Sequence, residues 1–186
     1  MKKLTLIALD NTDHLVHPEE FNEVTLESPA LSIFTDFKQH QPSVIEGDTP
    51  AIQAEFLMRK AHVRLKLVVD KSDALIGTIS FNELDEQNFI AHLAKGVGRE
   101  DIPVRDLMLP RAQVKALSYP ELKKASVNDV IEMLKQNHQQ HCLVIDPDQH
   151  HIRGIISASD IARRLHMPLV IEATPTFVDI FQAVKP

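Results

Sequence analysis

One segment of the chain occurs twice. A chain that repeats a strand-to-helix unit in register is constrained to fold as two like halves packed on each other. The copies are Gly154-Ile155-Ile156-Ser157-Ala158-Ser159-Asp160-Ile161 and, 77 residues upstream, Gly77-Thr78-Ile79-Ser80-Phe81-Asn82-Glu83-Leu84. Each reads as an apolar strand ending in a serine, then a helix with an acidic residue three positions on. The similarity extends to Leu67-Val68-Val69-Asp70 and Leu143-Val144-Ile145-Asp146, at an offset of 76 (143 − 67). Helix-like runs precede both, Pro50 to Lys60 and Ser126 to Gln136. Thr35-Asp36-Phe37 resembles Arg105-Asp106-Leu107 at an offset of 70 (105 − 35), which implies an insertion around Tyr119 to Lys124.

Each half is legible locally. Thr49 suits an N-cap and Pro50 a first helical position. Ile52, Phe56, Leu57 and Ala61 recur near helical spacing, and Val63, Leu65 and Leu67 alternate as in a half-buried strand. In the second half Ser126 caps a helix with an apolar stripe of Val127, Val130, Ile131 and Leu134. Strands over 142–145 and 152–156 flank the turn Asp146-Pro147-Asp148, and a helix runs from Ala158 to Leu165. A short strand precedes each half, at Val44-Ile45 and over 114–117. Gly96 to Pro103 reads as the linker, with Gly96 ending a helix. One small sheet with two helices buries little apolar surface alone; two packed face to face bury enough.

Composition limits the function classes. The 186 residues carry a formal net charge of −6, which argues against nucleic acid as a partner but not against a local basic pocket. The single cysteine, Cys142, rules out an intramolecular disulfide and fits a reducing, cytoplasmic setting. The apolar run Leu4 to Leu9 ends at Asp10 with no cleavage site after it, so it reads as a tail or strand rather than a signal peptide. No run approaches the ~20 apolar residues of a membrane span, and no membrane partner is expected.

The repeated β-α-β-β-α unit, the Gly-x-x-Ser-x-x-Asp pattern, the Leu143-Val144-Ile145-Asp146 strand and the opener Val104-Arg105-Asp106-Leu107-Met108 together resemble a tandem pair of CBS domains, a Bateman module. The resemblance covers residues 28 to 166. It implies an α/β (α+β) fold of two β-α-β-β-α repeats packed as a pseudo-two-fold pair. It divides the chain into an N-terminal extension (1–27), a first repeat (28–95), a linker (96–103), a second repeat (104–166) and a C-terminal strand and helix (167–186). It also implies regulation rather than catalysis: binding of AMP, ADP, ATP or S-adenosylmethionine between the repeats, a homodimer, and control of a separate protein. The two extensions are too short for a catalytic domain.

The resemblance gives the serine of the motif to phosphate or ribose and the aspartate to the ribose hydroxyls, which points to Ser157 and Asp160. A structural explanation competes with it. Serine followed three residues on by an acid resembles a capping box, and Ser80-Phe81-Asn82-Glu83 fits that pattern better because glutamate reaches back to the N-cap amide. The first site is therefore expected to be altered or lost. Arg163 and Arg164, one turn along the helix, are phosphate contacts or a solvated face. His141, just before a strand, is a phosphate contact or a strand-end residue. By the same resemblance Cys142 and the backbone around Lys115-Ala116 would line the adenine pocket, although Cys142 reads equally as a small buried hydrophobe. Arg64-Leu65-Lys66 is the corresponding basic stretch of the first copy.

His138 and His141 lie three apart, but no cysteine or carboxylate completes a metal set, and none is expected. No nucleophile or phosphate-loop motif is present, and no catalytic residue is assigned. Phe34, Phe37 and Phe56 are expected in the core. In the tail, Leu169-Val170-Ile171 reads as a strand, and Thr174-Pro175 starts a helix with an apolar stripe of Phe177, Ile180, Phe181 and Val184. That stripe packs on the module or its dimer mate, or docks a partner. A ligand-free dimerisation or interaction scaffold is the alternative to a nucleotide sensor.

Overall fold

The computed structural model describes residues 24–166. The expectations placed on Leu4 to Leu9 and on the tail from Leu169 to Val184 lie outside those residues. The first half contains β1 (Phe34–Asp36), β2 (Val44–Glu46), α1 (Ala51–Lys60), β3 (Leu65–Val69), β4 (Leu75–Ser80) and α2 (Glu86–Leu93). The second contains α3 (Val104–Leu107), β5 (Leu109–Pro110), β6 (Ala116–Ser118), α4 (Tyr119–Leu122), α5 (Val127–Gln136), β7 (His141–Asp146), β8 (His151–Ser157) and α6 (Ala158–Arg164).

These strands form two four-stranded sheets, ordered β2-β3-β4-β5 and β1-β8-β7-β6. Within each, a parallel pair (β2 with β3, β6 with β7) is followed by an antiparallel one (β3 with β4, β7 with β8). The outer strands are exchanged. β1, from the first half, pairs with β8 of the second, and β5, from the second half, pairs with β4 of the first. The exchange begins upstream of the strands. Ala30 N–H donates to Ala125 O and Val127 N–H to Ser28 O, both at 2.9 Å. Val104 N–H donates to Thr49 O and Ala51 N–H to Ile102 O, both at 2.8 Å, in the mirrored positions. The pairings place Thr35 opposite Ile155 and Leu109 opposite Thr78. The true counterpart of Thr35 is thus Leu109, and the alignment with Arg105-Asp106-Leu107 is corrected.

The exchange accounts for the repeated glycines. A side chain at Gly154 would collide with Thr35 O and the ring of Phe34; one at Gly77 would collide with Leu109 O and sit 2.7 Å from Met108 Sδ. Each glycine is the point where the borrowed strand crosses closely. A half-buried ion pair fastens β1: Arg153 Nε and an Arg153 terminal nitrogen donate to the Asp36 carboxylate at 2.9 and 2.6 Å, and the guanidinium stacks on Tyr119.

Each sheet covers its own core. One gathers Ala51, Ala54, Met58, Val68, Ile79, Phe89, Ile102 and Val104; the other Ala30, Ile33, Leu122, Val130, Ile131, Leu134, Val144, Ile156 and Ile161. The stripe expected on α5 is buried throughout, and Ser126 caps it in a full capping box. The expected insertion is occupied by α4, whose Leu122 is fully buried. The stripe expected on α1 is wrong. Its buried residues are Ala51, Ala54 and Met58, while Ile52 and Leu57 are exposed and Phe56 is 62% exposed. Two alanines face the core there, so small size, not hydrophobicity, marks the packed face. Phe34 and Phe37 are half-buried, and Phe89 takes the central place expected of Phe56.

Candidate functional site

Two clefts open between the halves and share a seam of Arg64, Leu65, His141 and Ile155. The larger, about 450 Å³, holds Ser157, Ser159, Asp160 and Arg163, facing Thr35, Ser43 and the chain from His62 into β3. The smaller, about 320 Å³, holds Ser80, Asn82 and Glu83, facing Lys115 and the chain from His138 into β7. Each cleft therefore joins the Ser-x-x-acid turn of one half to the strand entries of the other. Both volumes fall within the range of small-molecule sites, about 300–1,000 Å³.

The two turns differ in what their acids do. Glu83 is folded back on its own serine: Ser80 N–H and Oγ–H donate to Glu83 Oε2 at 2.8 and 2.6 Å. No helix starts there. Residues 81–85 are turn, and α2 begins at Glu86, capped by Asp85, which accepts from Gln87 N–H at 2.9 Å. The expected helix directly after Ser80 is corrected accordingly.

In the second half α6 does start at Ala158, but Ser157 makes no side-chain cap. Its Oγ lies 2.8 Å from Ser159 Oγ, and Asp160 pairs with Arg163 instead of reaching back. Side-chain length is not the reason, because Asp129 closes a capping box on Ser126, accepting from Ser126 N–H at 2.8 Å. Asp160 is thus left on the cleft wall, paired with Arg163 rather than with Ser157.

His141 begins β7 opposite Ser157. Burial drives its imidazole down to about 4, against the favourable pull of Asp160 and with a further push from Arg64. It is neutral at pH 7 and can donate one N–H and accept at the other nitrogen. Lys66 stands behind the larger cleft. Its Nζ donates to Ser43 Oγ at 2.9 Å, and burial lowers its basicity.

The residues singled out from the sequence are divided by the structure. Ser157, Asp160, Arg163 and His141 come together in the larger cleft, and Lys115 lies in the smaller one with His141. Ala116, Cys142 and Arg164 line neither. Cys142 faces the core of the second sheet at 4% exposure, and burial pushes its thiol up, as for an inert packed thiol. Arg164 donates to Ser32 O at 2.8 Å and so fastens the segment leading into β1. Thr35, Ser43 and His62 carry no motif that marks them in the sequence, and Arg64, part of the first copy's basic stretch, lies at the seam of both clefts. The parallel pairing of β2 with β3 and the exchange of β1 carry them to the other half's motif. The signal for this was the repeat itself, once each half is read as supplying walls to its twin.

Among the described residues, no group of three or more His, Cys, Asp or Glu is placed to hold a metal ion. No helix among them is long and apolar enough to cross a membrane.

Comparison with known proteins fits this geometry. A model of the CBS domain matches residues 35–86 and 122–167, more than half of the chain. No curated protein matches the chain. Among solved structures, an uncharacterized conserved protein from Pyrococcus horikoshii is 17% identical, with a TM-score of 0.55 over 80% of this chain and 100% of that one. The CBS-domain containing protein ATU1752 from Agrobacterium tumefaciens is 15% identical, with a TM-score of 0.53 over 69% of this chain and 88% of that one. CBSX2, from Arabidopsis thaliana and in complex with AMP, is 20% identical, with a TM-score of 0.52 over 73% of this chain and 94% of that one. At these identities the likeness is one of fold. With two matched segments, two like sheets and clefts between them, the chain belongs to the CBS domain family as a tandem pair.

Proposed function

We propose that the chain is a regulatory module that binds an adenine nucleotide, or an adenosyl compound such as S-adenosylmethionine, in the cleft of Ser157 and Asp160. The observation that carries this reading is the contrast between the two acids. Glu83 is consumed by its own turn, whereas Asp160 stands on a cleft wall, paired with the exposed Arg163 and close enough to His141 to act on its charge. A carboxylate held there accepts two bonds from a ribose diol. Ser157, Arg163 and Arg64 supply donors for phosphate. The AMP bound by CBSX2, a protein of the same fold, is consistent with this ligand class. The working halves are residues 28–95 and 104–166. Because the cleft takes walls from both, an occupant ties their relative position to ligand concentration, and a partner protein reads the change. We place this activity in the cytoplasm, without catalysis of its own.

Thermal denaturation with AMP, ADP, ATP and S-adenosylmethionine tests the reading. A ligand at a hundredfold its dissociation constant adds about 2.7 kcal/mol, or roughly 5–10 °C for a chain of this size. The shift is lost in Asp160→Ala. No shift with any of the four, or an equal shift in that variant, would refute it.

A second reading, a ligand-free interaction scaffold, is favoured by one observation. The first half exposes Ile52, Phe56 and Leu57 on α1 and Ile90 and Leu93 on α2. These faces suit a second copy of the chain, giving the homodimer usual for such modules, and both readings accommodate it.

A further inference from the structure

The cleft beside Glu83 has lost the feature that would take a ribose, yet it is not inert. Its acid accepts two hydrogen bonds from Ser80, and its wall sets Lys115, Arg64, Gln139 and Gln140 beside apolar residues such as Phe81 and Leu109. Neither Lys115 nor Arg64 has an ion-pair partner among the described residues. The two clefts together present Arg64, Lys115 and Arg163 against Asp160 and Glu83, a local positive balance in a chain of net charge −6. They are continuous at the seam, where Arg64 and His141 line both.

We propose that a nucleoside di- or triphosphate seated in the Asp160 cleft passes its phosphate chain between Arg64 and His141 into the Glu83 cleft, where it ends at Lys115. This rests on the adenine reading above and deepens it, because it names the ligand class as a nucleotide longer than a monophosphate. The loss of the first site then has a use. Closing Glu83 onto Ser80 removes a competing nucleoside and leaves a basic pocket for the phosphates of its neighbour. His141, neutral through burial, offers an N–H donor to the chain at the crossing. One ligand spans both clefts, so the module holds one nucleotide per chain and senses its phosphate length.

Calorimetric titrations with AMP, ADP and ATP, with divalent cations chelated, test this on the wild type, Lys115→Met and Lys115→Arg. Affinity rises from AMP to ADP to ATP, by about tenfold or more overall for added charge-assisted contacts. Lys115→Met brings the ATP-to-AMP ratio close to one, and Lys115→Arg keeps most of it. Equal affinity for the three nucleotides in the wild type overturns the proposal, as does a Lys115→Met variant that weakens AMP and ATP by the same factor. Either of those results leaves the adenine site standing. Absence of binding by all three overturns this proposal and the nucleotide form of the reading above, leaving the cleft to an adenosyl compound such as S-adenosylmethionine.

Discussion

Asp129 and Asp160 each stand three residues after a serine at a helix start, and they behave differently. Asp129 closes onto Ser126, and those bonds hold its carboxyl below the usual range; Asp160 turns to Arg163 and the cleft. The sequence alone does not separate the two, because the difference lies in the direction from which the chain enters the helix. Ser157 leaves β8 inside a ladder with His141, and its side chain is held beside Ser159. The contrast between Asp160 and Glu83 was legible, and so was Cys142 as a small buried hydrophobe. The placement of Cys142 in a ligand pocket was not, since alternation along β7 turns it to the core while His141 faces the cleft.

His141 supports a prediction at this scale. Its folded value, about 4, lies below the 6.5 expected of an unfolded histidine. Its neutral form therefore favours folding above pH 6.5, and that contribution is lost as the pH falls from 6.5 towards 4. His141→Gln, which cannot take up the proton, should flatten that part of the stability curve. Urea denaturation of both proteins at pH 7 and pH 5 measures it; equal losses in the two would contradict the assignment.

At the scale of elements, the strand exchange governs stability. Gly154 sits under β1, and Gly154→Val should push β1 off the sheet at a cost of about 1–3 kcal/mol, the usual range for overpacking. Denaturant titration reads this directly, and a change below 0.5 kcal/mol would contradict the close crossing. Asp36→Asn should cost about 1.5–3 kcal/mol, as expected for charge-assisted hydrogen bonds to Arg153. Arg153 holds the Asp36 carboxyl below its usual range, so this stabilisation is present above pH 3.8 and lost as pH falls through the lower folded value. The acid limb of the Asp36→Asn stability curve should be shallower than that of the wild type.

Helices with a conventional stripe, such as α5, were read correctly. α1 was not, because its buried face is built of alanines and a methionine. The exposed apolar residues on α1 and α2 lead to another expectation. Phe56→Ser with Ile90→Ser should leave monomer stability within about 0.5 kcal/mol per site and weaken self-association in sedimentation experiments. An unchanged oligomeric state would contradict a role for these faces in self-association.

For the whole molecule, two-fold repetition was visible in the sequence, but its consequence for the site was not. The resemblance implies a cleft between the repeats, but groups Lys115 and Cys142 with Asp160 and Arg64 with the first copy. In the fold β1 and β5 change places, the halves interlock, and each cleft takes walls from both. Under the proposed function, binding and coupling between the halves become one event, because a ligand in either cleft would touch walls from both. The central claim is a single competent site per chain, centred on Asp160. Calorimetric titration with ATP measures it most directly. The account predicts a stoichiometry of one nucleotide per chain in the wild type and loss of binding in Asp160→Ala. Two nucleotides per chain, or binding that survives in Asp160→Ala with its affinity intact, would contradict it.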